Sequence, residues 1–125
     1  MTRRTVSSGS PWEGPYGYSR ATVVGDQCWV AGTADPTGRR PGDAAGQARE
    51  ILGIIERALT EAGFSLADVV RTRMFVTNPA DSDAVARVHG EVFGSVRPAS
   101  TLLVVSALIA PELIVEIEAD AVRGG

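Results

Sequence analysis

The C-terminal segment carries the largest group of residues that could do chemistry. Glu116, Glu118 and Asp120 alternate with apolar residues, and alternate side chains of a β-strand point to the same face of a sheet. Three carboxylates on one face can pair with cations on a neighbouring strand. The pattern predicts a strand over residues 113–122 with an apolar face and an acidic face. The acidic face either contacts solvent or is covered by a neighbouring subunit, and the sequence leaves both alternatives open.

Two arginines of an earlier segment could meet those carboxylates. Arg71, Arg73 and Phe75 alternate within residues 69–77, so we expect them on one face of a second strand. Opposite charges on adjacent strands can pair across a sheet, which predicts a row of arginines beside a row of carboxylates. Val69 is expected on the arginine face. The other face is predicted to hold Val70, Thr72, Met74 and Val76.

Other reactive side chains are few. His89 is the single histidine, and it could act as a general acid or base near neutral pH or fill a structural position on a helix. Cys28 is the single cysteine, and the apolar segment around it favours a small buried residue over a nucleophile. All 12 basic residues are arginine, so the protein has no lysine to form a Schiff base.

Composition excludes several kinds of site. One histidine and one cysteine cannot form the usual Cys/His zinc site within one subunit, so we expect no metal. The glycine motifs that bind dinucleotides or nucleoside triphosphates are absent, and we expect no cofactor. A net charge of −3 disfavours nucleic acid as a partner. No stretch approaches the ~20 apolar residues of a membrane span, and a single free thiol is typical of a reducing compartment, so we expect a cytoplasmic protein.

Hydrophobic periodicity predicts the elements that position these residues within one domain, residues 1–125. An amphipathic helix is expected between Asp43 and Gly63, and a second helix between Asn78 and Gly94. The predicted order is β-β-β-α-β-α-β-β, an α/β (α+β) fold with a loop at residues 9–17 and a final antiparallel pair of strands. The remaining strands are predicted at residues 4–8, 19–24, 27–33 and 100–107.

The chain resembles the RidA/YjgF family of reactive intermediate deaminases, once described as endoribonucleases. The resembling segments have the family's order and spacing along nearly the whole chain. They are Tyr18–Asp26, Val30–Thr33, Val69–Val76, Arg97–Ser100 and Val115–Ala119. The resemblance implies a chorismate-mutase-like fold, with two helices on one face of a mixed sheet and the other face turned into a homotrimeric barrel. It also implies small-molecule clefts at the subunit interfaces.

The resemblance further implies a hydrolytic site. Active members convert enamines or imines into a 2-oxo acid and ammonia, and an arginine after Pro-Ala on the fifth strand binds the substrate carboxylate. Ser100 takes that position here, so we expect little hydrolysis of 2-imino acids unless Arg73 or Arg97 replaces the missing guanidinium. Glu116 matches the glutamate that orients the hydrolytic water and is the candidate catalytic residue.

Other positions of the family's cleft give the candidate substrate-binding residues. Tyr18 matches the family's cleft tyrosine, Ala31 stands where the family has a serine, and His89 falls at a position that faces the cleft. The full substrate-binding set is Tyr18, Ala31, Arg73, Phe75, His89 and Ser100.

Three functions are consistent with these residues. The first is a Rid-type enzyme, or enzyme remnant, that acts on a small imine- or carbonyl-like metabolite. The second is a non-catalytic trimer that binds a metabolite or supports a pathway partner. The third is an endoribonuclease, which a chain with one histidine, no lysine and an acidic isoelectric point disfavours.

Overall fold

Six strands form one mixed sheet in the computed structural model, which describes residues 2–124. The strands are β1 (Arg3–Val6), β2 (Ala21–Val24), β3 (Gln27–Thr33), β4 (Val69–Val76), β5 (Ala99–Val104) and β6 (Val115–Val122). Their order across the sheet is β1-β2-β3-β6-β4-β5. Neighbours are antiparallel except β4 and β5, which are parallel. The predicted mixed fold is confirmed.

The helices are α1 (Glu13–Tyr16), α2 (Ala44–Ala62) and α3 (Ser82–Phe93), with single 3-10 turns at Leu66–Asp68 and Pro79–Asp81. The bounds of α2 agree with the prediction. Its first turn is capped by the Asp43 carboxylate, which accepts a hydrogen bond from the N–H of Gly46 at 2.8 Å. Gly63 ends the helix at φ +89°, a conformation that glycine adopts without strain.

One face of the sheet packs against α2 and α3. The apolar side of β6 is fully buried there, and α2 contributes a matching stripe. Each large aliphatic side chain buried in this way stabilises the fold by about 1.5–3 kcal/mol. The buried residues of the two elements are Val115, Ile117, Ala119 and Ala121 of β6 and Ala44, Ala48, Ile51, Leu52, Ile55, Ala58, Leu59 and Ala62 of α2.

The N-terminal loop contains a helical turn that the sequence analysis did not predict. Residues 9–17 were expected to be a loop, but α1 lies within them. The rings of Trp12 and Tyr16 stack across this turn with centroids 5.2 Å apart. The carboxylate of Glu13 accepts hydrogen bonds from the hydroxyl of Ser7 and the N–H of Ser8. These local contacts hold one turn of helix in a segment rich in glycine and proline.

The expected pairing of the last two strands is wrong. β6 lies between β3 and β4, while β5 lies on the far side of β4. The connection through α3 places β5 parallel to β4, and the segment after β5 returns the chain to the other edge of β4. β5 is therefore an edge strand.

A β-bulge corrects the expected faces at the start of β4. Val69 pairs with Ala121 and Arg71 with Asp120, so Val70 is an extra residue on this strand. Val69 is buried and Val70 is 46% exposed. Their faces are therefore the reverse of the predicted ones, which put Val69 with the arginines and Val70 with Thr72. From Arg71 onward the predicted alternation holds. Within residues 2–124, no helix has the length and apolarity needed to cross a membrane.

Candidate functional site

The acidic face of β6 lies beside the arginine face of β4. Phe75 is opposite Glu116, and Arg73 is opposite Glu118. A guanidinium nitrogen of Arg73 lies 3.2 Å from Glu118 Oε1 and 3.6 Å from Asp120 Oδ2. The predicted pairing is confirmed for Arg73. One guanidinium nitrogen of Arg73 thus lies within 4 Å of both carboxylates, so the two share one cation.

Glu116 has a different environment from the other two carboxylates. Burial raises its pKa, the neighbouring charge of Glu118 raises it further, and Arg20 opposes both effects. Its side chain lies over Gly32, where an added Cβ atom would be only 2.6 Å from Glu116 Oε2. Gly32 belongs to an irregular stretch of β3, since the register with β6 shifts between Val30 and Thr33. The missing side chain at residue 32 therefore makes room for this carboxylate.

Tyr18 and Ala31 border the same face. They line an open groove of about 560 Å³ together with Arg73 and both of its carboxylate partners. The hydroxyl of Tyr18 donates a hydrogen bond to Ser10 Oγ at 3.1 Å, which ties the N-terminal loop to the groove. The N–H of Ala31 donates to the carbonyl of Arg20, so a backbone bond continues the ladder into the irregular stretch.

His89 and Ser100 lie on the helix-covered side of the sheet. The hydroxyl of Thr72, on β4, is hydrogen-bonded to Ser100 Oγ at 2.8 Å, and His89 Nε2 lies 2.8 Å from the same Thr72 Oγ1. Thr72 is completely buried, while Ser100 is exposed at the edge strand. Burial lowers the pKa of His89, and the ring packs against Phe93 with centroids 4.8 Å apart.

The candidate residues therefore form two groups on opposite faces of the sheet. Strand alternation separates them, because Thr72 and Ser100 pair in register and face the helices. One chain does not bring its own Ser100 beside its own Glu116. The open-face group contains Tyr18, Ala31, Arg73, Phe75 and Glu116, and the helix-side group contains His89 and Ser100.

Comparison with known proteins identifies the family. A family model described as Endoribonuclease L-PSP matches residues 13–123. A crystal structure of a YjgF/YER057c/UK114 family member from Mycobacterium tuberculosis superposes with a TM-score of 0.90 at 49% identity, covering 97% of this chain and 99% of that one. This chain belongs to the YjgF/RidA/RutC family.

Two curated relatives are similar to this chain. A protein of Streptomyces coelicolor is 42% identical over 124 residues, which cover 97% of this chain and 92% of the relative. The 3-aminoacrylate deaminase RutC of Acinetobacter baylyi is 39% identical over 80 residues, which cover 64% of this chain and 63% of that enzyme. Family names thus include both deaminases and endoribonucleases, and the residues of each member's site must decide its chemistry.

Sequence reasoning missed three residues of this candidate site. Thr72 was assigned to the strand face opposite the arginines but not to the link between His89 and Ser100. A lone hydroxyl among apolar core positions was the available signal, because a buried polar group needs a hydrogen-bond partner. Arg20 and Gly32 gave no such signal, since their roles depend on where Glu116 lies in three dimensions.

The two remaining candidate groups, Cys28 and Arg97, differ in their environment. Cys28 is fully buried, and burial raises the pKa of its thiol, although Arg4 and Arg123 oppose the shift. Arg97, the alternative anchor for a carboxylate, has a left-handed backbone at φ +56° and is exposed. In the part of the chain that the structure describes, no three His, Cys, Asp or Glu side chains cluster as metal ligands.

Proposed function

We propose that this family member is a homotrimer with a small-molecule cleft at each subunit interface. In that cleft, Glu116 positions a water molecule for hydrolysis of a small imine- or carbonyl-type metabolite. The observation that carries the proposal is the environment of Glu116. A half-buried carboxylate with a raised pKa, placed over a glycine, suits a group that accepts a proton from water.

The separation of the two groups supports a cleft shared between copies. Glu116 and Ser100 lie on opposite faces of one chain, so a second copy must place its edge strand against the open face to unite them. The open face is suited to such contact, because it carries half-exposed aromatic and aliphatic side chains beside the charged row. Trp29 is 42% exposed and Leu103 is 47% exposed on this face.

The environment of Ser100 predicts weak activity on 2-imino acids. A serine hydroxyl donates one hydrogen bond and carries no charge, whereas a guanidinium binds a carboxylate with two. Arg73 does not replace it within the chain, since it is paired with Glu118 and Asp120 on the other face. A cytoplasmic location remains our expectation, because Cys28 is a buried free thiol.

The test restores the missing guanidinium. We expect wild-type protein to accelerate hydrolysis of 2-iminobutanoate, generated by an amino-acid oxidase, very little. Ser100→Arg should raise the rate about 10- to 100-fold, the range expected for a hydrogen bond to a charged group. The matched control is Ser100→Arg combined with Glu116→Gln, which should remove the gain.

Three results would contradict this proposal. The first is a folded trimer in which Ser100→Arg adds no activity. The second is rapid turnover by wild-type protein that Glu116→Ala abolishes, which would show that Ser100 does not limit the reaction. The third is a stable single chain at micromolar concentration in sedimentation, since no shared cleft could then exist.

A non-catalytic, metabolite-binding trimer is the second candidate. Ser100 and Ala31 favour it, because Ser100 lacks the guanidinium and Ala31 lacks the hydroxyl that active relatives are expected to use. Titration of small acids and amides would separate the two functions by showing binding without chemical change. Ribonuclease activity is disfavoured, since the single histidine is engaged with Thr72. RNA cleavage by extensively purified protein would overturn that judgement.

A further inference from the structure

A continuous chain of polar atoms runs from α3 along the helix-covered face of the sheet to the exposed edge strand. His89 Nε2, Thr72 Oγ1 and Ser100 Oγ are joined by two contacts of 2.8 Å. Thr72 has one hydroxyl proton, so it donates to Ser100 when it accepts from His89, and it donates to His89 when it accepts from Ser100. The tautomer of His89 decides between these two arrangements. With the ring proton on Nε2, Thr72 donates to Ser100, and the proton of Ser100 is free to point away from the protein.

We propose that the ring proton of His89 lies on Nε2, and that these hydrogen bonds thereby fix Ser100 as a donor for an uncharged acceptor oxygen of the ligand, a ketone or amide carbonyl. Thr72 and His89 are then positioning residues, because they act on the ligand only through Ser100. The proposal rests on the interface cleft proposed above. It names the class of ligand that binds on the side of the cleft where Ser100 lies.

The buried end of the hydrogen-bonded chain has little freedom to move. Burial lowers the pKa of His89, so the ring is neutral at pH 7 and carries one N–H. Contact with Phe93 holds the ring in place. Thr72 is completely buried and uses its hydroxyl as donor and acceptor at once, so it has no freedom to turn toward another partner.

The charges near Ser100 favour an uncharged ligand. The three groups of the chain are two hydroxyls and a neutral imidazole, and none compensates the loss of water around a carboxylate. Arg73 lies on the other face and is paired. Arg97 is the nearby cation that could instead attract an anion, since it is exposed and lies three residues before Ser100. Arg97 therefore provides the discriminating control.

The binding test compares two probes of the same shape, 2-oxobutanamide and 2-oxobutanoate, titrated into the full-length protein and followed by NMR. We expect wild-type protein to bind the amide more tightly. Ser100→Ala and Thr72→Val should each weaken amide binding by about 3- to 10-fold, the range for one neutral hydrogen bond. Thr72→Ser keeps the hydroxyl and should bind the amide like wild type. Arg97→Ala should leave amide binding unchanged.

A second measurement judges the hydrogen-bonded chain without any ligand. Imidazole ¹⁵N shifts should show the proton of His89 on Nε2 in wild-type protein and in Thr72→Ser. In Thr72→Val the Nε2–H loses its acceptor, and the tautomer ratio should move toward Nδ1–H. A wild-type proton on Nδ1 would overturn the proposal, because Ser100 would then donate inward.

The probes separate this proposal from the proposed function. Tighter binding of 2-oxobutanoate that Arg97→Ala abolishes would overturn the uncharged ligand and leave the interface cleft standing. Failure of both probes to bind an intact trimer would overturn the assignment of Ser100 as a ligand donor. A single chain in sedimentation would refute the cleft, while the imidazole shifts still decide whether the hydrogen-bonded chain exists.

Discussion

Gly32→Ala is the substitution that most directly tests the placement of Glu116. The new Cβ would lie 2.6 Å from Glu116 Oε2 and 3.2 Å from its Cδ, so the carboxylate must move by roughly the 0.8 Å that restores ordinary contact near 3.4 Å. The carboxylate is the far end of a flexible side chain, and we expect it to rotate toward solvent. Because burial is the main cause of its raised pKa, the Glu116 pKa should fall toward its ordinary value.

The same displacement should weaken any hydrolysis that depends on Glu116. A misplacement of about 1 Å in a catalytic group can reduce a rate by about 100-fold. Stability should change by less than about 1 kcal/mol, since alanine restricts the unfolded chain and offsets the contact that must be relieved. The assays are ¹³C titration of the Glu116 carboxyl group, urea unfolding, and hydrolysis of 2-iminobutanoate by a Ser100→Arg background.

Gly53→Ala is the matched control. Its Cβ would meet only a guanidinium nitrogen of Arg57, at an ordinary 3.5 Å, on the surface of α2. It should stabilise the helix by about 0.5–1 kcal/mol and leave the Glu116 pKa unchanged. An unchanged Glu116 pKa in Gly32→Ala, with an unmoved carboxylate in a crystal structure, would refute the claim that glycine makes room for this group.

Three further predictions concern stability. Arg123→Ala should destabilise the fold by about 1–2 kcal/mol in urea unfolding, because the guanidinium donates to the carbonyl of Gly63 at 2.9 Å and stacks on an aromatic ring. Arg87→Ala breaks an exposed i,i+4 pair and should leave the urea midpoint nearly unchanged; an equal loss in both variants would contradict this reasoning. Gln47→Leu should cost about 2–4 kcal/mol, since this buried amide bonds two loop carbonyls and one loop N–H, and a smaller effect would mean that water replaces it. Wild-type stability should fall as the pH drops below about 6.5, because the unfolded chain binds a proton that folded His89 resists, and this component should be absent in His89→Gln.

Local pattern was sufficient to predict the elements that carry most of the core. The apolar stripe between Asp43 and Gly63 predicted α2 and its cap residues, because the helical period and the end signals lie within one continuous segment. The alternation of β6 likewise gave its buried and acidic faces. Both predictions needed no knowledge of what these elements pack against.

Features that depend on distant pairing could not be read in the same way. The bulge at Val70 inverts two faces, and only the register of β4 against β6 reveals it. The place of β5 at the sheet edge depends on a crossover, not on its own residues. Ser100 and His89 were selected from the family resemblance, but their side of the sheet depends on the register of Ser100 with Thr72.

The three carboxylates of the acidic face lie in two different environments. Glu118 and Asp120 share the guanidinium of Arg73, so their charges are partly compensated. Glu116 makes no ion pair within residues 2–124, and the cation that acts on it, Arg20, donates to Thr33. A second copy that covered this face would remove more water from Glu116. Within residues 2–124, this chain gives Glu116 no ion-pair partner to offset that loss. Its pKa should then rise further, which moves this carboxylate, and not its neighbours, toward the range useful for proton transfer at neutral pH.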